Sequence, residues 1–333
     1  MSKDMDKDGP IIVQRPAGGS EIIAVGGGKG GIGKSMLSAN LGLALAERGH
    51  KVVLFDADLG GANLHTCLGV EPPKVTLSEF MEKKRTSLDE LLTMTPHKNV
   101  SLVSGALDEV TAANPRYSQK LRLLKEIARF DADYVIIDLG AGTSYNTLDF
   151  FLIADFGIVS ILPEPTSIEN AYRFVKAAFF RRLKNLEHAY GISKVVDRIM
   201  ADKDRFVVRT PADLIAHIVR EAPGRGKDLA QDLQSFGFKI VVNQMRGPED
   251  ETTAKNVRSA CSKYFGVDIE LFGGLPYDNA VWQAVRKRQA VLKAFPDSDV
   301  ARALRQIAER VTQSKTTRPR AVTSLAAMEA EAP

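Results

Sequence analysis

The sequence from Ile22 to Ser35, IIAVGGGKGGIGKS, joins three local patterns within one short segment. It begins with four apolar residues, which is typical of a strand buried on both faces. The glycines that follow allow backbone conformations that a Cβ atom would hinder. Beyond this segment, Leu37, Leu41 and Leu45 recur at helical spacing. The sequence therefore predicts a strand, a glycine loop and a helix in immediate succession.

The glycine loop matches the pattern Gly-x-x-x-x-Gly-Lys-Ser of a phosphate-binding P-loop. The backbone N–H groups of such a loop point at a triphosphate, and the start of the next helix adds partial positive charge. Lys34 is expected to reach the β- and γ-phosphates, and the Ser35 hydroxyl can bind Mg²⁺. A flexible glycine turn without a ligand is the alternative, which the position between strand and helix disfavours. The predicted nucleotide-binding residues of the loop are Gly28, Lys29, Gly30, Gly31, Ile32, Gly33, Lys34, Ser35 and Met36.

Short apolar runs alternate with longer helical patterns along the rest of the chain. This alternation predicts an α/β fold, a doubly wound and mostly parallel sheet with helices on both faces. The predicted strands lie at 22–25, 52–55, 100–103, 134–137, 158–162, 239–242 and 269–271. The predicted helices include 35–48, 118–130, 168–186 and 299–311.

Two of these strands end in acidic residues. The strand at 52–55 leads to Asp56 and Asp58, and the strand at 134–137 leads to Asp138. Because the carboxyl ends of parallel strands face the ligand crevice, the three acids are expected to point toward the phosphates. Capping of a helix is the alternative role for Asp56 or Asp58.

Composition sets limits on the class of protein. The 333 residues are 44% hydrophobic and 26% charged, which fits a folded globule with a large core. The two cysteines, Cys67 and Cys261, lie far apart without metal or pairing spacing, as expected in a reducing cytoplasm. No apolar run approaches the roughly 20 residues that span a bilayer. The net charge of +4 permits peripheral contact with a membrane or the nucleoid but does not require it.

The chain is expected to form one main domain with polar ends. Residues 1–20 form a predicted disordered leader, 21–312 the nucleotide-binding domain, and 313–333 a predicted disordered tail. Within the domain, 187–237 is longer than a plain crossover needs and is predicted to be a helical insertion. Thr210, followed by Pro211, is the pattern of a helix start inside this insertion.

The presence of Lys29 in addition to Lys34 narrows the class of nucleotide-binding protein. With Lys29 and Lys34 together, the loop resembles the deviant Walker A motif of the MinD/ParA ATPases. The resemblance implies that Lys29 reaches across a dimer interface to the partner subunit's nucleotide. It also implies that Asp56 holds Mg²⁺ through water, at the metal that Ser35 binds. Asp58 would position the attacking water, and Asp138 would be the Walker B carboxylate. The catalytic residues implied in this way are Asp58, Lys29 and Lys34.

The resemblance extends to positions beyond the loop and the acids. It implies that Asn243 reads the adenine edge, that Pro276 forms the other wall of the base pocket, and that Glu164 approaches the ribose of the partner's nucleotide. A turn-forming role is the alternative for Asn243. The segment 139–142 resembles a sensor of the γ-phosphate. Met36 is a departure, because many relatives have a hydroxyl residue there for the α-phosphate.

The function implied by the resemblance is that of an ATPase whose ATP-bound form is a homodimer. It would use ATP and Mg²⁺, hydrolyse ATP to ADP and phosphate to reset the dimer, and turn over slowly without a regulatory protein partner. The segment 163–172 and the loop after Asp138 most resemble the FlhG (FleN) subfamily, which regulates flagellar number and placement. Two expected elements of that subfamily are not evident, an activating motif in the leader and a basic amphipathic helix at the C-terminus.

Two other functions remain open at the level of sequence. A ParA-like DNA-partition or cargo-positioning ATPase would use basic residues such as Arg286, Lys287 and Arg288 on phosphates. An Mrp-like iron–sulfur scaffold shares the loop, but it needs clustered cysteines, and the chain has no Cys-x-x-Cys.

Overall fold

An eight-stranded sheet forms the centre of the protein. The computed structural model describes residues 11, 13, 18–105 and 115–314 of the 333. In chain order the strands are β1 Glu21–Gly26, β2 Val52–Ala57, β3 Thr93–Met94, β4 Val100–Val103, β5 Tyr134–Leu139, β6 Phe156–Ile161, β7 Gly237–Met245 and β8 Ile269–Pro276. Their order across the sheet is β3-β4-β2-β5-β1-β6-β7-β8. All neighbouring strands run parallel except β3 and β4, which are antiparallel.

The position of β1 fixes where a ligand can bind. β1 lies between β5 and β6. Strands β2–β5 lie on one side of it and strands β6–β8 on the other. The carboxyl end of a strand at such a reversal borders the crevice in which α/β proteins bind ligands. The predicted doubly wound, mostly parallel sheet is thus confirmed, and its crevice opens above the glycine loop.

Helices cover both faces of the sheet. They are α1 Lys34–Glu47, α2 Leu64–Leu68, α3 Leu77–Met81, α4 Tyr117–Ile127, α5 Tyr145–Leu152, α6 Pro165–Ala189, α7 Ser193–Ala201, α8 Lys203–Phe206, α9 Pro211–Glu221, α10 Arg225–Ser235, α11 Asp250–Phe265, α12 Asn279–Arg286, α13 Val291–Ala294 and α14 Asp299–Gln313, with a 3₁₀ turn at Leu88–Leu91. One face packs against α1, α2 and α12–α14, and the other against α3–α7 and α9–α11.

The alternation of side chains in β1 explains why its apolar run is continuous. Ile22 and Ala24 belong to the core on one face, and Ile23 and Val25 belong to the core on the other. Successive residues of a strand point to opposite faces, so a strand covered on both sides needs apolar residues at every position.

Four helices, α7–α10, lie between α6 and β7, in the region predicted to be a helical insertion. The predicted helix start at Thr210 is confirmed by a capping box. The Asp213 backbone N–H donates to the Thr210 side chain, and the Thr210 N–H donates to Asp213 Oδ2 at 2.8 Å. Leu214 and Leu229 on α9 and α10 are buried in the core on the α6 side. These helices therefore share the main core of the protein.

Buried charges connect α4, α5 and α6. The Asp149 carboxylate of α5 lies 2.7 Å from Lys120 Nζ of α4 and 2.7 Å from Arg181 Nε of α6. The side chains of Lys120 and Asp149 are fully buried. A charge in this environment is stable only while it is paired. Asp149 therefore holds three helices together through two cations.

The last helix, α14, corresponds to the predicted helix at 299–311 and is part of the core. Leu304, Ile307 and Val311 are buried, and the helix packs against α1 and β8. The pairing of β7 with β8 is irregular, with shifts of register on either side of Val242. Arg310 Nη1 of α14 donates to the carbonyl of Phe272 in β8 at 2.9 Å.

Within the predicted disordered leader, residues 1–20, the structure describes residues 11, 13 and 18–20. Ile11 and Val13 are buried in the core, and the Ile11 N–H donates to Asn185 Oδ1 at 3.3 Å. Burial of the apolar side chains of Ile11 and Val13 removes apolar surface from water, which favours this position. The remainder of 1–17 lies outside the described residues, as do 315–333 of the predicted tail. In the described part of the chain, no helix combines the length and the apolarity that crossing a bilayer requires.

Candidate nucleotide-binding site

The glycine loop leaves β1 at Gly26 and ends where α1 begins at Lys34. Gly31 and Gly33 have φ angles of +76° and +86°, in the left-handed region that glycine adopts without strain. At Gly28, a Cβ atom would lie 2.3 Å from the carbonyl oxygen of Asn170 in α6. The backbone angles therefore favour glycine at Gly31 and Gly33. The close approach of α6 requires glycine at Gly28.

Lys34 lies inside the site and is 8% exposed. Its Nζ atom donates to the carbonyl of Lys29 at 3.2 Å, which folds the side chain back across the loop. Burial lowers the pKa of Lys34, while the nearby Asp138 and Asp58 carboxylates act in the opposite direction. The structure thus brings the second lysine of the loop close to two of the predicted acids.

Asp56 and Asp138 end neighbouring strands and face each other directly in the pairing of β2 with β5. Burial raises the pKa of Asp56, and the charge of Asp138 raises it further. Burial also raises the pKa of Asp138, against the opposite effect of hydrogen bonds from Ser35 and Ser38. Burial and mutual proximity thus disfavour the charged forms of these two carboxyl groups at the carboxyl end of the sheet.

Asp56 also organises the loop that follows β2. Its two carboxylate oxygens accept hydrogen bonds from the backbone N–H groups of Asp58 at 3.1 Å and Leu64 at 3.0 Å. The predicted alternative of a capping role is therefore partly realised, because Leu64 is the first residue of α2.

Asp58 is half-buried and borders the loop after β5. A Cβ atom at Gly140 would lie 3.0 Å from Asp58 Oδ1, and one at Gly61 would lie 3.5 Å from it. Gly142 in the same loop has a φ of +96°. The predicted water-positioning acid and the predicted γ-phosphate sensor are therefore adjacent.

Lys29 contrasts with Lys34 because its side chain lies at the rim of the site. Its Nζ atom is 4.0 Å from Glu164 Oε2, and the two side chains are 45% and 54% exposed. Glu164 is the N-cap residue of α6, immediately before Pro165. The first lysine of the loop is thus available to a second molecule, and the predicted residues Lys29 and Glu164 lie side by side.

The remaining predicted residues lie deeper in the fold or farther along the sheet. Met36 is buried in the core beneath the loop. Asn243 is buried at the end of β7, and its Nδ2 atom donates to the carbonyl of Ile32 at 2.9 Å. Pro276 ends β8, opposite Met245, and lines a groove on that side of the sheet. The structure therefore brings Asn243 onto the glycine loop and places Pro276 at the end of the neighbouring strand.

Three residues that contribute to the site, Ser38, Ser160 and Asn170, are not among those predicted from the sequence. Ser38 Oγ donates to Asp138 Oδ1 at 2.9 Å. Ser160 Oγ donates to the Ile32 carbonyl at 3.1 Å, and the backbone of Asn170 limits the space at Gly28. Ser38 lies one helical turn after Lys34, and Ser160 is a polar residue in the apolar strand β6. These two signals are visible in the sequence once the loop is located.

The donor atoms at the end of the sheet fit a magnesium ion. The Ser35 hydroxyl and the carboxylates of Asp56 and Asp138 are oxygen ligands of the kind that Mg²⁺ prefers. The close approach of two buried carboxylates is also stabilised by a nearby cation.

Comparison with known proteins agrees with the geometry of the loop and the acids. The ParA family model, described as the NUBPL iron-transfer P-loop NTPase, matches residues 19–185. Antiactivator FleN of Pseudomonas aeruginosa is 30% identical over 294 residues, which cover 87% of this chain and 86% of that protein. The flagellum site-determining protein YlxH of Helicobacter pylori is 32% identical over 181 residues, 54% of this chain and 59% of that protein.

Among solved structures, the septum site-determining protein MinD of Pyrococcus horikoshii, complexed with Mg-ADP, has the same fold. It superposes with a TM-score of 0.60 at 20% identity and covers 94% of this chain and 100% of its own. The family model, the FleN relative and the two-lysine loop above the acid pair lead to one conclusion: this chain belongs to the ParA/MinD family of P-loop NTPases.

Proposed function

We propose that this protein is a magnesium-dependent ATPase that dimerises around bound ATP and acts as a spatial or numerical regulator, in control of flagellar number or placement. The observation that carries the proposal is the contrast between the two lysines of the loop. Lys34 is buried beside the acids, whereas the Lys29 side chain is 45% exposed at the rim. One lysine can serve the nucleotide of its own subunit while the other serves a partner's.

Binding of the triphosphate would use groups already in place. Backbone N–H groups of the loop and the amine of Lys34 face the phosphates, and the start of α1 adds its partial charge. Mg²⁺, held by Ser35 and Asp56, would neutralise charge on the β- and γ-phosphates. Asp138 keeps the Ser35 and Ser38 hydroxyls oriented through its hydrogen bonds.

Dimerisation would follow from the exposed lysine. Lys29 of one subunit would leave Glu164 and bind the phosphates of the partner's nucleotide. A charge-assisted contact of this kind contributes about 1.5–3 kcal/mol, and two copies form in a symmetric dimer. Since about 1.4 kcal/mol is a tenfold change, these two contacts shift the monomer–dimer equilibrium by orders of magnitude.

Hydrolysis would reset the dimer. Asp58 orients the attacking water, and the neighbouring loop at 140–142 relaxes once the γ-phosphate has gone. The small space between Gly140 and the Asp58 carboxylate supports this coupling, because movement of the loop would change the surroundings of the acid.

The flagellar role rests on the relatives. One relative is named a flagellum site-determining protein, and another is named antiactivator FleN. A test is to delete the gene in the source organism and count flagella per cell by electron microscopy. We expect the number or position of flagella to change, and a Lys29→Ala copy not to restore it. Normal flagella in the deletion strain would contradict the role.

Light scattering after size-exclusion chromatography tests the dimer cycle. With ATP and Mg²⁺ the wild type should double its mass, and with ADP it should be a monomer. Asp58→Ala should remain dimeric with ATP, and Lys29→Ala should bind ATP but stay monomeric. Lys74→Ala, at an exposed lysine away from the loop, is the control and should behave as the wild type. A wild type that stays monomeric with ATP at high concentration contradicts the proposal.

A second candidate is a ParA-like DNA-partition or cargo-positioning ATPase. The observation in its favour is an exposed basic run, Arg286, Lys287 and Arg288, at the end of α12. DNA binding through such residues would require ATP and fall steeply with salt. An iron–sulfur scaffold is disfavoured, because Cys67 and Cys261 lie on α2 and α11, against opposite faces of the sheet.

A further inference from the structure

The short helix α12 turns its larger apolar side chains toward solvent. Trp282 and Val285 are 57% and 51% exposed, whereas the residues buried on the opposite face are Ala280 and Ala284. Positions 282 and 285 are about one turn apart and share a face of the helix. A helix that served only the core would have the reverse arrangement, because burial of large apolar side chains is what stabilises packing. The packing of the fold therefore does not explain why Trp282 and Val285 are exposed.

Tyr277 adds a third exposed apolar side chain at the start of this helix. It is 55% exposed and directly precedes Asp278, the N-cap residue of α12. The guanidinium of Arg246, which follows β7, lies 4.6 Å from the centroid of the Tyr277 ring. An aromatic side chain and a cation are therefore paired in the open at this end of α12.

Positive charge accompanies the exposed apolar side chains at the other end of α12. The Arg286 guanidinium lies 4.7 Å from the centroid of the Trp282 ring, and Lys287 and Arg288 follow directly. All three basic residues are exposed, and within the described ranges none of them forms an ion pair. We call the residues Tyr277, Trp282, Val285 and 286–288 the α12 surface. It combines apolar side chains with positive charge that no carboxylate of the described chain neutralises.

The apolar side chains indicate which anionic partner fits the α12 surface best. Tryptophan and tyrosine beside lysine and arginine are typical of a membrane–water interface, where the rings lie among the headgroups and the cations attract anionic lipids. The backbone of duplex DNA offers phosphates to the cations but no apolar partner to Val285. An acidic protein would need carboxylates and an apolar pocket of matching shape, whereas a fluid lipid surface supplies both kinds of contact without such a match.

We propose that the α12 surface is a docking site for an anionic membrane surface. The site goes beyond the proposed ATPase cycle, because it needs neither a bound nucleotide nor a dimer. Few side chains take part, so the attachment is peripheral and reversible.

Trp282 reports directly on this contact, because it is the only tryptophan of the chain. The full-length protein without nucleotide is mixed with vesicles of phosphatidylglycerol and phosphatidylcholine in equal parts, or with vesicles of phosphatidylcholine alone. Only the anionic vesicles should shift the Trp282 emission to shorter wavelength and carry the protein into the pellet on sedimentation. Added salt should weaken both effects, because it screens the attraction between the cations and the lipid.

Substitutions on the exposed face of α12 separate the apolar and the charged contributions. Measured by sedimentation, Trp282→Gln should lower the affinity for anionic vesicles about tenfold. Arg286→Gln should lower it about fivefold. Lys255→Gln, at an exposed lysine of α11, removes the same charge elsewhere and should bind as the wild type does. Thermal unfolding of each variant verifies that it is folded.

Three results would overturn the proposal. The first is a wild type that does not bind the anionic vesicles. The second is binding that Trp282→Gln and Arg286→Gln both retain at full strength, since another surface would then be responsible. The third is a shift of Trp282 emission with a duplex oligonucleotide or with polyglutamate but not with vesicles, which would assign the surface to nucleic acid or to an acidic protein. Because nucleotide is absent throughout, the proposed ATPase function stands or falls separately.

Discussion

Lys34 and Asp149 are both charged and buried, and each is kept stable by charges of opposite sign. Lys34 faces Asp138 and Asp58, and Asp149 lies between Lys120 and Arg181. The first arrangement borders the crevice, where a ligand can change it. The second connects three helices and lies away from the crevice, so its role is to stabilise the fold.

Replacing Lys34 by alanine should abolish nucleotide binding. The amine provides the buried positive charge beside Asp138 and Asp58, so its removal leaves these carboxylates facing the phosphates. We expect the affinity for ATP, measured by calorimetry, to fall about a hundredfold or more. An affinity within tenfold of the wild type would contradict the assignment of Lys34.

Replacing Asp149 by alanine should destabilise the protein by about 3–5 kcal/mol, because two buried cations lose their carboxylate. The free energy of unfolding is measured in denaturant. Asp131→Ala is the matched control, since the Asp131 side chain is fully exposed and pairs with Lys51 at the surface. The control should change stability by less than about 0.5 kcal/mol. Equal effects of the two variants would show that the buried pairs are not needed.

At the scale of elements, most long periodic segments could be predicted from sequence and the short ones could not, although the 16-residue α11 is not among the predicted helices. The seven predicted strands are present, because each has at least three consecutive apolar or alternating positions. β3 was not predicted, since its two residues form a strand only by pairing with β4. The helices α2, α3, α8 and α13 have four or five residues, too few to show a period.

Some residues of the candidate site could be predicted from sequence, and the roles of others could not. The acids could be predicted because parallel strands bring their carboxyl ends to one edge, so Asp56 and Asp138 meet without any knowledge of packing. Ser160 stands out in the sequence as a polar residue in an apolar strand, but its partner could not be assigned, because its bond to Ile32 spans 128 residues of sequence. Nothing in the local pattern of β6 tells which carbonyl its hydroxyl reaches.

Thr210→Ala should weaken α9 by removing its capping box. The loss of an N-cap side chain costs about 0.5–2 kcal/mol. Denaturant unfolding gives the change in stability, and hydrogen exchange should locate it in α9. Thr252→Ala, at an exposed threonine within α11, should stay within about 0.5 kcal/mol of the wild type. No change at Thr210 would mean that the start of α9 is held by packing alone.

At the scale of the whole molecule, two cores on opposite faces of the sheet depend on helices that are distant in sequence. α14 packs against α1, more than 250 positions earlier in the chain, and closes the core on that face. The end of the described chain is therefore part of the folded domain.

Leu304→Ala tests whether α14 belongs to the core. Leu304 is fully buried, so its truncation should lower the free energy of unfolding by about 2–5 kcal/mol. Gln306→Ala on the exposed face of α14 is the control and should have little effect. If Leu304→Ala kept full stability but lost binding to liposomes, α14 would be a membrane-binding helix.

The two borders of the sheet are poorly suited to pairing with strands of another copy. β3 is only two residues long, and β8 is irregular, with the Phe272 carbonyl occupied by Arg310. Long, regular borders with free backbone groups are templates for cross-β growth, and short or interrupted ones are poor templates. Both borders of this sheet therefore disfavour the edge-to-edge pairing of strands from separate copies.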